Sequence, residues 1–156
     1  MNDLNKIIED AWKSLDDPEE FLKKFQEVFE DYHRNAVYLF EYANALDFLE
    51  KENEAIPLYQ RALEIGLSEK MKTQAEIQLG SSLSVIGENK SAVSILSRVL
   101  EETEDPAALL FLCIALFRSR ELEKSLKTAL KFILSGSQGL LPEYKRALSQ
   151  YIDEID

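Results

Sequence analysis

Glu76-Ile77-Gln78-Leu79-Gly80-Ser81-Ser82-Leu83-Ser84-Val85-Ile86-Gly87, followed by Glu88-Asn89-Lys90-Ser91-Ala92-Val93-Ser94-Ile95-Leu96, is the stretch that decides the fold. Leu79, Leu83 and Ile86 recur at helical spacing, and so do Ala92, Val93, Leu96, Val99 and Leu100 after the Gly87 break. Two amphipathic helices joined by a short turn read as an antiparallel pair. Gly80 and Ala92 are the small residues that let two such helices approach closely.

The same grammar runs upstream and downstream. Leu39-x-x-Tyr42-Ala43-x-x-Leu46 is answered by Ala55-x-x-x-Tyr59-x-x-Ala62, and Leu109-x-x-Leu112-Cys113-x-x-Leu116 by Ser125-x-x-x-Ala129-x-x-Phe132. The markers Ala55, Ala92 and Ser125 are 37 and 33 residues apart, which brackets the ~34-residue period of paired-helix repeats. An insertion of about three residues falls around Gly66–Met71 on that period. One pair cannot bury its own apolar face, so the pairs must stack.

These residues resemble the tetratricopeptide-repeat family. The run from Tyr42 to Asp47, followed by Glu54 to Leu63, looks like a small bacterial subfamily mostly without assigned function. The resemblance implies an all-α, right-handed helical-repeat solenoid of about nine helices, forming a single domain over residues 1–156. It implies three repeats within residues 35–135, at 36–69, 73–106 and 106–135. Residues 1–34 read as an amino-terminal helical pair and 140–156 as a capping helix, since an open solenoid end requires a polar cover. The family's usual aromatic at the start of the first helix of each pair is replaced by Leu39, Glu76 and Leu109.

Helix boundaries follow from local chemistry. Asp17 with Pro18 and Glu20, Asn35, Ser68, and Asp105 with Pro106 are start signals. Gly66 and Gly87 are stop signals. Pro57 is tolerable in its helix only in or beside the first turn. Phe21, Leu22, Phe25, Val28, Phe29 and Tyr32 predict one continuous second helix.

With 46% hydrophobic residues the chain can bury a core. Its net charge of −11 disfavours phosphate backbones and anionic lipid, so neither nucleic acid nor membrane is an expected partner. The charge is uneven: residues 106–156 carry seven basic and six acidic groups, while everything before them is acidic on balance. The acidic amino terminus has no signal-peptide pattern, which makes a cytoplasmic location the expectation.

Catalytic signals are weak. His33 is the only histidine and Cys113 the only cysteine. One His cannot build a His-based metal site, and Cys113 occupies a small packing position. No phosphate-cradling glycine loop follows a strand. The expectation is a non-enzyme without cofactor or metal.

The resemblance implies that the first helix of each pair lines a concave groove. Its candidate contact residues are Phe40, Asn44, Asp47 and Phe48, then Ile77 and Ser81, then Leu110, Ile114 and Phe117. Such a mainly apolar surface would take an extended peptide or an amphipathic helix of a protein partner. Some family members grip a C-terminal carboxylate with Asn and cationic side chains. Asn44 matches one such Asn, but Phe40, Ala107 and Phe111 stand at the cationic positions. The runner-up is a self-associating module, possible as a homodimer, with its groove filled by its own or a sister chain's helix. The basic face of Lys124, Lys127 and Lys131 could serve such an assembly, although exposed charges usually just solubilise.

Overall fold

A computed structural model describes residues 3–135, and the expected capping helix at 140–156 lies outside the described residues. Nine helices are described: α1 (Asp3–Trp12), α2 (Pro18–Gln26), α3 (Phe29–Tyr32), α4 (Ala36–Phe48), α5 (Glu52–Ile65), α6 (Glu69–Val85), α7 (Asn89–Thr103), α8 (Pro106–Arg118) and α9 (Leu122–Ser135). From α4 onward each helix packs on the next, and α6 also touches both α4 and α8. This is the stacked arrangement of paired helices that the repeat pattern demands.

The caps form where local chemistry places them. Asp17 accepts the Glu20 N–H at 3.1 Å, Asn35 the Tyr38 N–H at 3.1 Å, and Asp105 the Ala107 N–H at 2.7 Å. Ser68 holds the cap position of α6 but makes no side-chain cap bond. Pro57 sits just past the first turn of α5. Gly66 and Gly87 take φ of +110° and +90°, a backbone open to glycine and strained for other residues.

The stretch from Phe21 to Tyr32 is not one helix. It breaks at Glu27-Val28 into α2 and the single turn α3. The cause is a competing donor. The Phe25 carbonyl accepts the Tyr38 hydroxyl at 2.6 Å and the Val28 N–H at 3.3 Å, taking up the acceptor that a continued helix offers to Phe29. Tyr38 is fully buried, and burial pushes its phenol well above its ordinary pKa, so it stays a neutral donor.

An aromatic cluster joins α1 and α2 to the first repeat. Phe25 stacks on Tyr42 with ring centroids 5.4 Å apart, and Trp12 lies 5.0 Å from Phe21 and 6.4 Å from Phe48. The amino-terminal helices thus dock against α4 as an additional layer of the stack.

The small positions close the pairs. Ala43, Ala55 and Ala92 are completely buried. Cys113 is half-buried rather than core; it meets α9 through the Ser125 hydroxyl, which donates to the Cys113 carbonyl at 2.9 Å. Glu76, in place of an aromatic, is buried at 8% exposure. Arg98 of α7 reaches it at 3.0 Å and also holds Glu102 at 3.1 Å. An ion pair between α6 and α7 therefore substitutes for ring packing.

Candidate functional site

Three first helices meet in a cleft of about 410 Å³. From α4 it is lined by Phe40, Glu41 and Asn44, and from α6 by Gln74, Ile77 and Gln78. Asp105, Ala107 and Phe111 form the α8 wall. Phe40 and Ile77 are nearly buried and make an apolar floor, while Gln74 is exposed at the rim. Nine lining residues thus combine apolar side chains with amides and two carboxylates.

The polar groups are held rather than loose. Asn44 accepts the Tyr59 hydroxyl at 2.8 Å, and Tyr59 is itself fully buried beside Phe40. Glu41 accepts the Trp12 indole N–H at 3.0 Å. Burial pushes the Glu41 carboxyl above its usual pKa range, against the opposing hydrogen bonds from Trp12 and Asn44. Burial likewise raises Asp47, opposed by the Ser82 hydroxyl, which donates to it at 2.6 Å. Glu41 and Asp47 answer to separate donors.

A raised carboxyl pKa means that the ionised form costs the fold. Its contribution to stability is fully present below the unfolded carboxyl pKa and lost as pH rises through the folded one. Glu41→Gln keeps an acceptor for Trp12 and removes the charge. It is expected to raise the thermal midpoint at pH 7 and to leave it unchanged at pH 3, checked by melting at both pH values. A lower midpoint at pH 7 contradicts the assignment.

The expected groove residues divide into two groups. Phe40, Asn44 and Ile77 line the cleft. Asp47 and Ser81 are half-buried beyond its lining, with Asp47 engaged by Ser82. Phe48 is 56% exposed but its ring meets Trp12 and Phe21 nearly at right angles. Leu110, Ile114 and Phe117 are exposed on α8, on the stripe next to the one that enters the cleft. Ala107 and Phe111 fill the α8 wall instead. Glu41, Gln78 and Asp105 were outside the expected set. The signal for Glu41 and Gln78 was their spacing, one residue from Phe40 and Ile77 on the same helices. Asp105 was legible only as a cap.

Phe40, Ala107 and Phe111, the residues at the clamp's cationic positions, all share this cleft with Asn44.

A family model described as tetratrico peptide repeat matches residues 36–155. The chain belongs to the tetratricopeptide-repeat family. Repeats of this family generally mediate protein–protein interaction and are generally non-catalytic. None of the curated proteins matches the chain. Among the described residues, no helix is long and apolar enough to cross a membrane, and no group of three or more His, Cys, Asp or Glu could hold a metal ion.

Proposed function

We propose that this protein is a peptide-binding adaptor, without catalytic activity, whose ligand seats in the cleft between α4, α6 and α8. The observation that supports this reading is the cleft itself: an apolar floor of Phe40 and Ile77, ringed by amides held or presented for hydrogen bonding. Asn44 cannot swing away without losing the Tyr59 hydroxyl, so it is preorganised to meet a peptide backbone. The exposed stripe of Leu110, Ile114 and Phe117 adjoins the cleft and extends the apolar surface for a longer ligand. The acceptor set is unsuited to a C-terminal carboxylate, because no Lys, Arg or His lines the cleft.

Phe111 is the side chain to test, since it is half-buried and sits at the wall rather than in the core. Peptides selected from a random display library on the wild-type protein are expected to lose at least about tenfold affinity for Phe111→Ala, roughly the 1.4 kcal/mol that one anchor contact supplies. Helix content and melting of the variant should match wild type within a few degrees. Peptides that bind both proteins equally place the binding surface elsewhere.

A further inference from the structure

We infer that the cleft selects a cationic segment: a peptide in which lysine or arginine flanks an apolar side chain. The inference rests on the cleft being the binding site, and it adds the chemistry of the ligand. Two carboxylates stand on the outer helices of the three, Glu41 on α4 and Asp105 at the start of α8, with the apolar floor between them. No lining residue carries a positive charge.

The start of α8 is the one feature that could favour an anion, because unpaired backbone N–H groups gather there. Asp105 cancels that: its Oδ1 takes the Ala107 N–H at 2.7 Å and places a carboxylate over the helix end. The opposite wall is negative for a different reason. Glu41 is held in a half-buried position by neutral donors, the Trp12 indole and the Asn44 amide, and among the described residues no cation pairs with it. A cation arriving beside it supplies that missing compensation.

The surrounding field has the same sign. The whole chain carries −11, and residues 1–105, which contain the α4 and α6 walls and Asp105, hold all of the excess. Such a field steers cationic ligands to the cleft and repels acidic ones, chiefly through the rate of association. The apolar lining then fixes which cationic segments stay, because a lone lysine leaves the half-buried Ala107 and Phe111 wet.

The test uses three fluorescein-labelled peptides in a glycine–serine context, each with a central leucine pair flanked by two lysines, two glutamines or two glutamates. Binding is read by fluorescence polarisation on the full chain at low and high sodium chloride. The lysine peptide is expected to bind at least about tenfold tighter than the glutamine peptide at low salt, with the glutamate peptide weakest, and the gap should close as salt screens it. The double variant Glu41→Gln/Asp105→Asn keeps an acceptor for Trp12 and a capping side chain for α8. It should lose the preference for lysine and retain binding of the glutamine peptide. Equal binding of the lysine and glutamine peptides, with both weakened by Phe111→Ala, overturns the charge selection and leaves the cleft as the site. Binding of all three untouched by Phe111→Ala overturns the cleft itself, and no binding by any peptide overturns both. A lysine preference that survives the double variant assigns the selectivity to another surface and removes Glu41 and Asp105 from it.

Discussion

Phe25→Ala is expected to lower unfolding stability by about 3–5 kcal/mol, the range for deleting a fully buried aromatic ring. Phe25 has no exposed surface, and its ring meets Phe21 at 5.8 Å, Tyr42 at 5.4 Å and Tyr38 at 6.2 Å. Its removal opens a cavity at the junction between α2 and α4. The Phe25 carbonyl also anchors the Tyr38 hydroxyl, so a shifted backbone there loosens a buried phenol. Phe25→Leu refills most of the volume and should recover more than half of the loss. Trp12 is the chain's only tryptophan and is half-buried at the same junction, so its emission reports directly on docking of the amino-terminal helices. A denaturation curve within about 1 kcal/mol of wild type would mean that those helices do not depend on this junction. If the emission shifts red before the far-ultraviolet signal is lost, the first layer of the stack separates ahead of the repeats, as nearest-neighbour stability allows.

That junction also ties stability to the cleft. Trp12 spans both, its ring packed at a tilt against Phe21 and its indole N–H donating to Glu41. Undocking α1 therefore releases a wall residue of the site. The amino-terminal pair engages Phe48 and Glu41. It leaves the cleft beside Phe40 and supports it from the side.

The repeat was legible because its physics is local. Small residues at Ala43, Gly80, Ala55 and Ala92 repeat at a fixed interval, and apolar stripes beside them have one helical period. Caps at Asp17, Asn35 and Asp105 were legible for the same reason: donor and acceptor lie two or three residues apart. The break at Val28 was not, because its cause is the Tyr38 hydroxyl of α4, thirteen residues from the Phe25 carbonyl that it engages. The burial of Glu76 was hidden likewise, since its partner Arg98 is 22 residues distant.

The site divides along the same line. Phe40, Asn44 and Ile77 follow from register within one helix. The α8 wall depends on how far α8 is rotated against α6, and a rotation of under a quarter turn exchanges Leu110 and Ile114 for Ala107 and Phe111. No pattern within α8 fixes that angle, because its mean composition is apolar almost all round. Packing against α6, α7 and α9 decides it.

Gly80→Ala tests the closest approach in the repeat, and two effects of opposite sign meet there. Alanine is favoured over glycine inside a helix by about 0.5–1 kcal/mol. A Cβ on Gly80 would lie 2.6 Å from Cγ and 2.8 Å from Cδ2 of Leu96, distances real Cβ atoms do not reach. Leu96 has no exposed surface, so it cannot swing into solvent to make room. The clash wins, and the expected net loss is about 1–3 kcal/mol, as for other overpacked cores. A double-mutant cycle identifies the cause. Leu96→Ala alone should cost about 2–5 kcal/mol through its cavity. In the Gly80→Ala background the same change should cost less, by a coupling of about 0.5–3 kcal/mol, because the new methyl group occupies part of that cavity. A Gly80→Ala protein more stable than wild type would show that α6 and α7 can move apart at no cost. The consequence for function follows from position: Ile77 and Gln78 precede Gly80 on α6 and line the cleft. A wedge between α6 and α7 tilts the middle wall toward α4 or α8, so peptide affinity should fall in Gly80→Ala and return in part when Leu96→Ala restores the gap.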